Sequence, residues 1–331
     1  MGRVKEFRRN SELEDFLKEI NEDLFVAEKR LLEKKEQRYP IIFILGPLRS
    51  GTTLMTQWLA ASGKIAYPTN MLSRFYGAPV IGAKIQKLLT DEKYNFRNEI
   101  LDFSSEINYH SENGKTKGAL APNEFWYFWR RFIPYVEEIG YLTDQQLMEK
   151  VDVNYMLSEF IGLTETFEKP FVLKATHCNY NIGFLDQVFD KALFLYMKRD
   201  PYTNTESSLK ARERQLGTIE EWYSFKIPEY SDLSQINNPI KQTAGQVYHN
   251  NKAVQEGLAK VAEHRKMIVE YEDFCENPEK YYKELVAKLG MQGCEIDAVY
   301  NGEKQFNITR KSVNPEIEKF YNEYVQELQE K

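Results

Sequence analysis

Two glycines five residues apart, Gly46 and Gly51, bracket a loop rich in groups that bind anions: Gly46-Pro47-Leu48-Arg49-Ser50-Gly51-Thr52-Thr53. The apolar run Ile41–Leu45 before it reads as a buried strand, and Leu54–Ala61 after it reads as a helix. At such a strand–loop–helix junction backbone N–H groups converge, and the helix dipole favours negative charge. The spacing is that of a phosphate loop, G-x-x-x-x-G, but Thr52 stands where a lysine would reach the β- and γ-phosphates of a nucleoside triphosphate. Without that lysine the loop suits a single phosphate. Arg49 remains beside whatever that phosphate carries, and its planar fork of donors matches a tetrahedral oxyanion.

Two further groups follow at strand ends. Phe171–Ala175 is an apolar run carrying Lys174, and it leads into Thr176-His177-Cys178-Asn179. Of the four histidines, His177 alone comes directly after a buried-strand pattern, where it could take a proton. Ala192–Met197 is a third run, ending in Lys198-Arg199-Asp200-Pro201. Pro201 suits a first helical turn, and Ser207 lies two turns in. A guanidinium at a strand end and that hydroxyl can converge on one phosphate.

These groups need a scaffold that brings strand ends to one edge. Apolar strands at 41–45, 171–175, 192–197 and 267–271 alternate with helical stretches, so the expected class is α/β with a mainly parallel central sheet flanked by helices. Ligands of such sheets sit outside the carboxyl ends of the strands. That rule places Gly46–Thr53, His177 and Arg199 on the same edge. The chain reads as one domain over 1–331. Residues 1–37 form a helical extension with Ser11 as its N-cap, and Ile65–Tyr67 a short strand closed by Pro68. Residues 80–165 are a helical insertion, 215–245 an irregular flap, 246–263 a helix, and 300–331 a C-terminal loop and helix. Within the insertion, Phe125–Phe132 holds six aromatic residues in eight, too many for one core face. Two readings stand: a hydrophobic helix between layers, or an acceptor wall on which a sugar or ring stacks against Trp126 or Trp129 while Glu124, Arg130 or Arg131 reads polar groups.

Composition narrows the function. Asp and Glu number 50 against 44 Lys and Arg, a net charge of −6, which disfavours a nucleic-acid surface as the main business. Three cysteines with no C-x-x-C argue against a disulfide framework or a zinc site and fit a reducing cytoplasm. No apolar run reaches 18 residues and the N-terminus lacks an apolar core, so neither export nor a membrane span is expected.

Pro47-Leu48-Arg49-Ser50-Gly51-Thr52-Thr53-Leu54 resembles the 5′-phosphosulfate loop of the sulfotransferases, which use 3′-phosphoadenosine-5′-phosphosulfate (PAPS) and release adenosine 3′,5′-bisphosphate. Lys174-x-x-His177 is similar to the family stretch in which the histidine takes the acceptor proton. Arg199-Asp200-Pro201 with Ser207 resembles its 3′-phosphate motif. Tyr271-Glu272-Asp273, Asn277-Pro278 and Leu289-Gly290 continue the likeness, so that it touches most of 40–290. The resemblance implies a sulfotransferase-type phosphate-loop fold and a basic C-terminal loop, here Arg310 and Lys311, over the 3′-phosphate. Past the second strand, where the family often carries an acidic base, Asn70 and Arg74 stand on the acceptor side. The expected reaction is sulfuryl transfer to a hydroxyl or amine of a small molecule or carbohydrate. Arg49, Lys174 and His177 are the expected catalytic groups, and no metal is required. A phosphate-loop kinase or NTPase and a non-catalytic nucleotide-binding protein are the alternatives.

Overall fold

The computed structural model describes residues 4, 10–32, 36–95, 109, 116–133, 141–308 and 314–330. The chain opens with α1 (Ser11–Leu31), β1 (Ile41–Leu45), α2 (Thr52–Ala61) and α3 (Pro79–Thr90). A single turn α4 (Trp126–Trp129) precedes α5 (Asp144–Lys150), α6 (Val153–Phe167) and β2 (Phe171–Lys174). Then come α7 (Ile182–Val188), β3 (Ala192–Lys198), α8 (Pro201–Leu216), α9 (Tyr230–Leu233) and α10 (Pro239–Ala259). The described chain closes with β4 (Lys266–Glu270), α11 (Tyr271–Glu276), α12 (Pro278–Gly290) and α13 (Pro315–Gln329).

The four strands form one sheet in the order β2-β1-β3-β4. Every pairing is parallel: Ile41 lies beside Phe171 on one side and Ala192 on the other, and Phe194 beside Lys266. All four carboxyl ends therefore face one edge. The inner strands are buried on both faces, which is why they read as unbroken apolar runs. Alternate residues of β1 serve opposite layers. Ile41, Phe43 and Leu45 pack with Phe160, Leu163, Phe189 and Val254 of the α6–α7–α10 side. Ile42 and Ile44 pack with Met55 and Trp58 of α2 and Tyr281, Tyr282 and Leu285 of α12.

Three local expectations change. Asn10, not Ser11, caps α1, its Oδ1 accepting from Leu13 N at 3.1 Å. The stretch Ile65–Tyr67 makes a single parallel bridge, Ala66 to Phe171, because Pro68 turns the chain away one residue after Tyr67. The segment 215–245 is not irregular throughout. Asn238 accepts from Ile240 N and Lys241 N and starts α10 at Pro239, well upstream of the expected 246. Ile227 and Leu233 are buried against Tyr324 of α13 in a third cluster. No helix among the described residues is long and apolar enough to cross a membrane.

Candidate active site

The loop after β1 alternates in hand. Gly46 has φ 130°, Arg49 64° and Gly51 99°. Both glycines are also crowded. A Cβ on Gly46 would lie 2.7 Å from the carbonyl oxygen of Met197, and one on Gly51 would clash with the Cδ2–Cε2 edge of the Tyr271 ring. The loop's outward carbonyls are tied down. Asn179 holds Gly46 at both ends, accepting from its N–H at 3.0 Å and donating to its carbonyl at 2.9 Å. Asn204 Nδ2 donates to Leu48 O at 2.6 Å, and Arg199 Nη1 to Arg49 O at 2.7 Å. Among the described residues no side chain caps α2 at Gly51, which leaves the N–H groups of its first turn for a ligand. Ser50 Oγ is fully buried with no hydrogen-bond partner among the described residues, and Arg199 Nε is in the same state. Orphaned donors of this kind fit an anion.

The strand ends converge as the sheet requires. Arg49 Nε lies 3.4 Å from Ser207 Oγ, so Arg199 and Ser207 both meet the loop at Arg49. The Arg199 guanidinium stacks 4.7 Å above the Tyr271 ring, with Glu272 Oε1 4.0 Å from its Nε. Burial pushes the Arg49 guanidinium below its ordinary pKa, opposed by Tyr223 and reinforced by the charges of Arg199 and Arg214. On the β2 side, Lys174 Nζ donates to Thr53 Oγ1 at 2.7 Å and to Glu124 Oε1 at 2.9 Å. An ammonium has three protons, so one is left for a loop-bound anion. Thr52 is buried, and Leu54 packs on the α2–α12 core with its backbone in the first turn of the helix.

His177 stands at the expected edge but not in the open. It is 6% exposed, and the rings of Trp129, Trp126 and Phe225 lie at 4.7, 5.5 and 6.0 Å. Burial drops its pKa to about 3. Burial thus favours the neutral imidazole, the form in which a histidine can accept a proton. Phe225 follows Ser224, which has φ 83°, and the two line a narrow crevice with Gly46 and Leu48. Their segment is clamped from behind. Glu229 accepts from Tyr180 at 2.8 Å and lies 3.3 Å from His249 Nδ1, and His249 Nε2 meets Tyr324 OH of α13 at 2.8 Å.

The aromatic run divides differently from the expected wall. Trp129 is core: it is buried, and its indole donates to Lys174 O at 2.9 Å. Trp126 is half-buried against Phe225, with ring centroids 5.0 Å apart. Arg131 is committed to Glu159 through two hydrogen bonds of 2.9 Å, and so does not face an acceptor. Asn70 is a brace, donating to Gly118 O at 2.9 Å and accepting from Asn123 Nδ2 at 2.8 Å. Arg74 is exposed on a short 3₁₀ turn, where its carbonyl accepts from Asn21. Arg310 and Lys311 lie outside the described residues. The sequence reading missed Asn179, Asn204, Tyr271 and Phe225. Asn179 could have been found two residues past His177 at the same strand end.

The family model described as "Sulfotransferase family" matches residues 40–295. No curated protein matches the chain. Among solved structures it is similar to sulfotransferase STF9 from Mycobacterium avium, with 16% identity, 88% of this chain and 69% of that chain covered, and a TM-score of 0.47. STF1 from Mycobacterium tuberculosis H37Rv gives 14% identity, 82% and 72% coverage and a TM-score of 0.49. The sulfotransferase domain of the Synechococcus PCC 7002 olefin synthase gives 18%, 88% and 90%, and 0.41. The family match spans well over half the chain, from the start of β1 to beyond α12, and with it the chain belongs to the sulfotransferase family.

Proposed function

We propose that the protein transfers a sulfuryl group from PAPS to a hydroxyl or amine of a small-molecule or carbohydrate acceptor. The observation that carries this reading is the meeting of Arg199 and Ser207 with Arg49, on a loop whose lysine position is Thr52 and whose Ser50 Oγ is buried without a hydrogen-bond partner among the described residues. One adenosine nucleotide with a 5′-phosphosulfate and a 3′-phosphate matches two neighbouring anion sites. The donor supplies an activated sulfur–oxygen bond. The loop N–H groups, Ser50 and Thr52 hold its 5′ end. Arg199 and Ser207 hold the 3′-phosphate and so fix where the sulfur lies. Arg49 and the spare proton of Lys174 offset charge that builds on the phosphate-side oxygen as the bond breaks. Trp126 and Phe225 border the acceptor side.

Isothermal calorimetry tests the reading. Adenosine 3′,5′-bisphosphate is expected to bind tightly and ATP with Mg²⁺ weakly, and Arg199→Ala is expected to weaken the bisphosphate by about 1.5–3 kcal/mol, roughly 10–150-fold. Tighter binding of ATP with Mg²⁺ would favour a kinase instead. Tight bisphosphate binding with no sulfate transfer to any acceptor would favour a non-catalytic nucleotide-binding protein.

A further inference from the structure

Glu124 is the carboxylate that the fold delivers to the loop. It is joined to the anion site through one ammonium: Glu124 Oε1 is 2.9 Å from Lys174 Nζ, which is 2.7 Å from Thr53 Oγ1. Its side chain is 55% exposed, while that of Lys174 is 8% exposed. The carboxylate thus sits at the mouth with its cation behind it. The turn that presents it is braced on every side. Pro122 bridges Thr69, Asn123 N donates to Pro68 O at 2.7 Å, and Asn123 Nδ2 reaches Asn70. Asn123 Oδ1 accepts from Phe125 N at 2.8 Å. Phe125, the next residue, has φ 55°. A bulky residue in the left-handed region is strained, and such strain persists only where the surroundings enforce it, commonly at functional sites. The ties of Pro122 and Asn123 and a strained backbone at Phe125 therefore fix the aim of one half-exposed acid.

We propose that Glu124 is the general base of the reaction, with Lys174 as the residue that positions it. This rests on the sulfuryl-transfer reading above. The Glu124 carboxylate takes the proton of the acceptor O–H as that oxygen forms its bond to sulfur. The bond from sulfur to the 5′-phosphate oxygen breaks, and adenosine 3′,5′-bisphosphate leaves with that electron pair. Lys174 spans both ends of the step, holding Glu124 with one proton while another reaches the leaving side. Among the described residues, the charged groups facing Glu124 are Lys174 from β2 and Arg49 from the loop. His177, neutral under three rings, becomes part of the acceptor floor.

The test follows ³⁵S transfer from PAPS to a panel of 4-nitrophenol, 2-naphthol, octyl glucoside and octanol, with the best acceptor carried forward. Calorimetry with adenosine 3′,5′-bisphosphate runs in parallel. Glu124→Gln is expected to keep bisphosphate affinity within about twofold and to lower kcat by about 10²–10⁴-fold. The acid limb of the kcat/KM–pH profile should vanish in that variant, and Glu124→Asp should recover part of the rate. His177→Asn should keep the acid limb. Glu124→Gln at full rate, or with bisphosphate affinity lost alongside turnover, overturns the assignment. If the unaltered protein binds no bisphosphate, the sulfuryl-transfer reading itself has failed, and this one with it.

Discussion

Gly51→Ala probes whether the loop and the Arg199 site are one mechanical unit. Gly51 sits at φ 99°, and a Cβ there falls 2.3 Å from Tyr271 Cδ2 and 2.6 Å from its Cε2. Left-handed backbone costs an ordinary residue about 1–2 kcal/mol. Ordinary carbon–carbon contact is about 3.5–4.0 Å, so the ring must also retreat by roughly 1 Å or more. Tyr271 cannot retreat alone, because Arg199 stacks on it at 4.7 Å, a contact worth about 0.5–1 kcal/mol at a partly exposed site. The sum is about 1.5–3 kcal/mol. If it falls on the ligand-ready loop, affinity for adenosine 3′,5′-bisphosphate drops by roughly 10–150-fold. If the whole fold absorbs it, the melting temperature falls instead. Calorimetry and a thermal melt on the same preparation separate the two. Unchanged affinity together with an unchanged melting temperature would refute the coupling.

The remaining predictions concern stability. Arg131→Met leaves the Glu159 carboxylate, 0% exposed, without its cation. It should cost about 3–5 kcal/mol in urea unfolding at pH 8, and a loss below 1 kcal/mol would show that the pair is dispensable. Burial raises the Glu159 pKa to about 7 from 4.5, against the pull of Arg131. A carboxyl raised on folding stabilises most below its unfolded pKa, and that contribution fades as pH rises through about 7. Glu159→Gln should therefore flatten the fall in melting temperature between pH 5 and 8, whereas parallel curves would contradict the argument. Asn238→Ala removes the cap of α10 and should cost about 1 kcal/mol, measured as a lower urea midpoint.

The strand ends were legible because the residues there answer to chemistry as well as packing. Apolar runs marked β1, β2, β3 and β4, and parallel pairing then put the loop, Lys174 and Arg199 on one edge without further information. What the sequence hid depended on side-chain direction. The run Phe125–Phe132 folds as one short turn behind a residue with φ 55°, so it has no helical period to read, and Trp126 and Trp129 part company. Arg131 looked available because its partner, Glu159, lies on a helix 28 residues away. Asn238-Pro239 carries the same start signal as Asn277-Pro278 and Asn314-Pro315, and polar neighbours obscured it. His177 was found at the right edge, but its three ring neighbours come from two distant segments, and burial is a property of the assembled fold.

Neighbouring strands lie about 4.8 Å apart, and the order β2-β1-β3 sets three terminals in a row like marks on a rule. In the proposed reading the middle mark grips the 5′ end of the donor and the β3 mark takes the 3′ end. That reading assigns the β2 flank to the incoming nucleophile. Exchange of the groups on β2 and the turn beside it should change which molecules are sulfated, while β3 keeps the nucleotide in place.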